Sequence, residues 1–141
     1  MSATQLAALA RTSDPRTMLR RFLALDAVVT GANAVAYLAA SGPLGDLFDV
    51  DATLLLILGA FLAVYAAGVG LLASRPHPAT LPVRLVVEAN LAWAALSLLA
   101  LTLWLTPNTA GAVWTVLQAL TVAGFAGLQH IALKARQDTS S

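Results

Sequence analysis

The sequence predicts an all-α polytopic membrane protein: four transmembrane helices in an antiparallel bundle, with the N and C termini on the cytoplasmic side. Three observations carry this. The 141 residues are 59% hydrophobic and only 11% charged, four long apolar runs cross the chain, and every basic residue falls on one side of those runs. Soluble domains carry more than twice that charge. The composition therefore excludes an ordinary soluble enzyme, a disordered tail and a nucleic-acid binder with a basic patch. With no cysteine there are no disulfides, thiolate ligands or Cys nucleophiles.

The runs are Phe22 to Ala40, Ala52 to Ala73, Leu85 to Leu105 and Gly111 to Leu133. Each matches the roughly 20 helical residues that a bilayer core of about 30 Å requires. A β-barrel would need alternation, and stretches such as Leu54-Leu55-Leu56-Ile57-Leu58 are apolar on every face. The predicted organisation is an N-terminal cytoplasmic segment over 1–18, one membrane domain over 19–136 with helices at about 22–40, 52–73, 85–105 and 111–133, and a flexible tail over 137–141. The first segment carries Leu6, Leu9 and Ala10 beside Arg11 and reads as an interfacial helix or a disordered stretch. Ser41-Gly42-Pro43, Pro76, Pro78 and Pro107-Asn108 mark the turns. A cleaved signal peptide is the alternative for the first run, but its length and its Asp26 and Asn33 suit a retained helix better.

Orientation follows from charge. Arg11, Arg16, Arg20 and Arg21 precede the first run, Arg75 and Arg84 flank the second loop, and Lys134 and Arg136 follow the fourth run. The first loop has Asp46, Asp49 and Asp51 and no base, so both termini and the Arg75 to Pro78 loop are expected in the cytoplasm. The two hairpins also echo each other weakly at an offset of about 62 residues, through Asp26 and Glu88 early in their helices; a repeat of this kind would be parallel.

Polar residues inside the runs are the informative ones, because a charge at the bilayer centre costs about 2.5 to 3.5 kcal/mol. Asp26, Thr30, Asn33 and Tyr37 fall within about 60° of one another on a helix and form a stripe that should face protein. Asn90, Trp93, Ser97 and Trp104 share a face of the third helix, while Glu88 points away from it. Glu88 then either meets a second subunit or pairs with Arg84 and reaches the interface. In the fourth helix Trp114, Gln118, Thr121, Phe125 and Gln129 align, with His130 displaced. Trp104 and Trp114 read as interfacial anchors and His130 as an interfacial residue, so no metal, haem or other cofactor is expected. The second helix offers Gly59, Ala63, Ala67 and Gly70 as a close-packing face, and no buried polar group.

Asp26, Glu88 and Gln129 lie at a similar depth. With Asn33, Asn90 and Gln118 they form the candidate intramembrane polar site, rimmed by Arg20, Arg21 and Arg84. Such a site would bind a cation, relay a proton or hold a lipid headgroup. The size and plan suggest small multidrug transporters, but the glutamate pattern those proteins require in their first helix is absent. Through Leu25-Asp26-Ala27, Gly42-Pro43-Leu44, Val64-Tyr65-Ala66-Ala67 and Ala89-Asn90-Leu91-Ala92-Trp93, residues 20–136 resemble small bacterial four-helix integral membrane proteins of the DoxX-like size class. The resemblance implies a fold, with no assigned activity; the expected location is the bacterial inner membrane.

No nucleophilic triad, phosphate loop or metal quartet occurs in the chain. The leading expectation is a non-enzymatic membrane subunit or scaffold that packs against itself or a larger complex, in contact with membrane lipids and not with nucleic acid. The alternatives are a small oligomeric transporter or channel using Asp26 and Glu88, and a lipid- or quinone-binding membrane protein.

Overall fold

A computed structural model describes residues 15–103 and 106–140, and every regular element among them is a helix. The elements are α1 (Pro15–Ala39), α2 (Ser41–Phe48), α3 (Ala52–Ser74), α4 (Thr80–Leu103) and α5 (Thr109–Ser140). Four of them, α1, α3, α4 and α5, are long and apolar enough to cross a membrane. The amphipathic piece expected around Leu6 to Arg11, and Trp104, lie outside the described residues.

Four boundaries differ from the sequence expectation, each for a local reason; helix α4 starts at Thr80 and not at 85, with Pro82 in its first turn. Helix α1 begins by Pro15 and not at 22, since proline suits a first turn, where its missing N–H has no helical partner to lose. The first loop contains a helix: Ser41-Gly42-Pro43 ends α1 but opens α2, with Pro43 again in the first turn. Asp49 then closes α2 in the left-handed conformation (φ 56°), its N–H donating to the Gly45 carbonyl. Helix α5 continues to Ser140, through residues expected to form a flexible tail. Lys134 to Gln137 contain no breaker, and Arg136 donates to the Pro78 carbonyl and, at 3.2 Å, to Thr80 Oγ1. At 32 residues α5 is about 48 Å long, well beyond a 30 Å bilayer core.

The helices pack as two close pairs, α1 with α3 and α4 with α5, and the pairs meet along α1 and α5. Between α3 and α4 there is little contact, so the bundle has one loose seam. At the end bearing Arg16 and Arg136, Arg20 Nε donates to the Ala73 carbonyl at 3.0 Å and Arg16 approaches the His77 ring at 2.7 Å. At the opposite end Asn108 joins α2 to the start of α5: its N–H donates to the Phe48 carbonyl at 3.2 Å and its Nδ2 to the Leu47 carbonyl at 2.7 Å. The Asn108 Oδ1 in turn caps α5 by accepting from the Gly111 N–H at 2.9 Å.

Lipid is as apolar as leucine, so helix association here depends on close packing and interhelical hydrogen bonds. Close packing is visible between α1 and α3. A Cβ added to Gly59 would sit 2.9 Å from Leu38 Cγ and 3.0 Å from Tyr37 Cβ, and one added to Gly70 would touch Ala27 at 3.8 Å. Ala63 is half-buried near Tyr37, Leu55 and Leu62, while Ala67 is exposed. Most of the small-residue face of α3 is thus used within the chain. Two apolar clusters result, one around Leu19, Leu23, Val69, Val83 and Leu133, the other around Ala34, Tyr37, Leu55 and Leu62. Polar side chains separate them.

Candidate functional site

The separating layer is built on Asp26. This carboxylate is 1% exposed, and its Oδ2 accepts from Asn90 Nδ2 and Gln129 Nε2, both at 2.8 Å. Its Oδ1 accepts from Thr30 Oγ1, one helical turn away, at 3.0 Å. The second Asn90 N–H donates to Gln129 Oε1 at 3.1 Å, and Tyr65 Oη donates to Asn90 Oδ1 at 3.0 Å, with the Val86 carbonyl at 3.2 Å. One connected set of side chains thereby bridges α1, α3, α4 and α5. No buried side-chain nitrogen or oxygen among the described residues lacks a partner, as a polar layer in a hydrocarbon environment requires.

The structure brings together Asp26, Asn90 and Gln129 of the expected site and leaves Glu88 out. Glu88 is exposed on the outer face of α4, about half a turn from Asn90, which is why equal depth did not bring it to the same place. The basic residues expected to rim the site do not touch Asp26 either. Arg20 is held by the Ala73 carbonyl, and Arg21 and Arg84 are exposed. With Gln129 and Asp26 essentially inaccessible, this level is a packed layer and not an inner-leaflet cavity.

The open space lies on the other side of the layer, toward α2. Two adjoining cavities of about 310 and 220 Å3 share Tyr37, Trp93, Leu96 and Gln118. Asn90 and Tyr65 form the floor of the smaller one, while Phe48, Val50 and Gly111 bound the far end of the larger. Along the seam the walls are Leu54 and Leu58 from α3 and Ser97 and Ala100 from α4. Phe61 and Leu96, 55% and 59% exposed, mark where the space opens sideways between α3 and α4.

Aromatic side chains fix the shape of this cleft. The Phe61 and Trp93 rings are parallel with centroids 5.8 Å apart, and Trp93 Nε1 donates to Gln118 Oε1 at 2.7 Å. Phe48 and Trp114 stack at the same separation, and Trp114 Nε1 donates to Tyr37 Oη at 2.7 Å. Trp114, expected as an anchor in the interface, is half-buried in the bundle instead, because its indole N–H finds a phenol there. Asn33 and Gln118 line the smaller cavity, away from Asp26. Neither cavity has an acidic or basic side chain in its lining.

Tyr65 and the two indole bonds were not anticipated from the sequence. A tyrosine in the middle of an apolar run, away from either interface, was the available signal, since its hydroxyl needs a partner there. Together the fold and site define a class: an all-helical protein with four helices long and apolar enough to span a membrane, a pinned polar layer and a cleft beside it. No family model matches this chain, and no curated protein and no solved structure matches it either. The functional argument accordingly rests on the geometry. Among the described residues no group of three or more His, Asp or Glu side chains is placed to hold a metal ion.

Proposed function

We propose that this protein is a non-enzymatic inner-membrane protein that takes an amphiphilic small molecule sideways from the bilayer into the cleft between α3 and α4. Its basic end, with both termini and the Arg75 to Pro78 loop, is assigned to the cytoplasm on the charge distribution. The observation that carries the reading is the cleft itself: aromatic and aliphatic walls, a few amide and hydroxyl groups at its base, and an opening toward lipid. Pockets of a few hundred Å3 with this mixture are the usual form of small-molecule sites. A lipid- or quinone-like ligand suits them, because its tail can remain in the seam among Leu54, Leu58 and Leu96 while its head reaches the polar base.

This reading is preferred to ion coupling because Asp26 is enclosed and Glu88 stands apart from it. A second reading, assembly with another copy or a larger membrane complex, is favoured by one observation, the exposure of Glu88 on a membrane-spanning helix, where a partner would relieve the expense of an isolated charge. Native mass spectrometry of gently extracted protein tests both. The ligand reading expects one amphiphile per chain, lost in Ser97→Phe, which fills the cleft. Bulk phospholipid in variable number, unchanged by that substitution, would refute it. A defined oligomer disrupted by Glu88→Leu would support the second reading.

A further inference from the structure

Resting on that reading of the cleft, we propose that its ligand carries an uncharged carbonyl head, bound through Asn33 and Tyr37 of α1. The two side chains stand four residues apart on one helix face, so their Cβ atoms are about 6 Å apart and a single head group can reach both. Asn33 is half-buried, lines the smaller cavity, and has no hydrogen-bond partner among the described residues. A carboxamide in hydrocarbon without a partner is unfavourable by the same logic that ties Asp26 into four helices. Every other polar side chain on α1 from Asp26 to Tyr37 has at least one bond.

The sign of the head group follows from the groups left over. Tyr37 Oη accepts from Trp114 Nε1, and its own hydrogen has no acceptor among the described residues. Gln118 Oε1 is taken by Trp93, and one of the two Nε2 hydrogens by the Thr115 carbonyl, which leaves the other. Hydrogens without an acceptor, on Asn33 Nδ2, Tyr37 Oη and Gln118 Nε2, therefore outnumber the side-chain oxygens of the smaller cavity that make no bond, which among the described residues is Asn33 Oδ1 alone. A carbonyl oxygen, whether of an ester, a ketone or a quinone, accepts from this set without bringing charge into a lining that has no ion to neutralise it. A phosphate or carboxylate would be left unpaired. The basic residues that could meet one sit at the other end of α1 and α4, beyond the Asp26 layer.

The test compares three probes by calorimetric titration of the full-length protein in dodecylmaltoside: decylbenzoquinone, dioctanoylglycerol and decyl phosphate. At least one of the first two should bind more tightly than decyl phosphate, and the two arms separate a quinone from an ester source. Asn33→Leu, which removes no bond within the protein, should weaken the carbonyl probe roughly tenfold, as should Tyr37→Phe, while leaving decyl phosphate unchanged. Equal or tighter binding of decyl phosphate overturns the assignment. So does a carbonyl probe that is displaced by Ser97→Phe yet binds Asn33→Leu and Tyr37→Phe as it binds the unaltered chain; in that case the cleft is a ligand site and its head-group specificity lies elsewhere. If no probe binds and native mass spectrometry finds no retained amphiphile, the ligand reading itself fails, and this inference with it.

Discussion

Replacing Asp26 with leucine should destabilise the bundle by about 3 to 5 kcal/mol. Leucine shares aspartate's branching, but its methyl groups are bulkier than the oxygens they replace, so overpacking adds to a loss that is mostly polar. Three hydrogen bonds disappear, at 2.8, 2.8 and 3.0 Å, to Asn90, Gln129 and Thr30. At about 0.6 kcal/mol for a typical interhelical bond in a membrane protein they account for about 2 kcal/mol. Asn90 and Gln129 are 3% and 0% exposed, so each also keeps an N–H that no water can reach, adding about 1 kcal/mol or slightly more apiece. Asp26→Asn separates geometry from removal. An amide oxygen in place of Oδ2 still accepts from both partners, and its NH2 can donate to Thr30 Oγ1, so all three contacts survive and the loss should stay below about 1.5 kcal/mol. Equilibrium unfolding in mixed dodecylmaltoside and dodecyl sulfate micelles, followed by far-ultraviolet circular dichroism, reads both variants. An Asp26→Leu protein within about 0.5 kcal/mol of the unaltered chain would refute the idea that this layer holds the helices together.

Four further expectations follow from the same packing. Gly59→Leu should separate α1 from α3 and lose about 1 to 3 kcal/mol in the same titration, because its Cβ meets Tyr37 and Leu38; Gly68→Leu, with nothing within 4 Å, should be neutral. Tyr65→Phe should lose about 1 kcal/mol, less than Asp26→Leu, since it leaves the Asp26 bonds intact and frees only Asn90 Oδ1 and the Val86 carbonyl. Glu88→Gln should leave unfolding unchanged within about 0.5 kcal/mol, as expected of an exposed side chain outside the network, and a large loss would place Glu88 in an interaction the single chain does not contain. Because the chain has no cysteine, single substitutions report topology directly: Asp46→Cys should react with an impermeant maleimide in intact cells and His77→Cys only after lysis, and the reverse pattern would invert the orientation.

The four spans were legible because bilayer thickness sets a length that composition alone can reveal, and the inward direction of the Asp26, Thr30, Asn33 and Tyr37 stripe was legible because helical periodicity fixes it. Asn90 and Gln129 were nameable for the same reason. What periodicity cannot supply is the rotation of one helix relative to another. Depth alone grouped Glu88 with Asp26, yet the two lie on faces that never meet, and Asn33 and Gln118 share the stripe or seam of the network while lining a different space. Tyr65 was passed over because the run around it is so apolar that its hydroxyl looked incidental. Helix α2 was hidden by proline, which terminates one helix and opens the next with equal ease.

The position of the cleft follows from how the polar layer closes the seam. Helices α3 and α4 hardly touch along their length, and what links them at mid-depth is Tyr65 reaching Asn90 and the Val86 carbonyl. On the basic side of that link Val69, Ala73, Val83 and Val86 fill the core with compact side chains. Beyond it, one turn along α3 and one along α4, stand Phe61 and Trp93, whose parallel rings meet across the seam with centroids 5.8 Å apart. The far end is closed again where Phe48 and Gly111 meet, at a contact so close that a Cβ on Gly111 would collide with the Phe48 backbone. A link below, a cap above and two large rings between them leave a space that can be filled only from the side, which is where the bilayer lies. If that is how the cleft is made, Tyr65→Phe should loosen its floor and weaken ligand binding out of proportion to its small effect on stability.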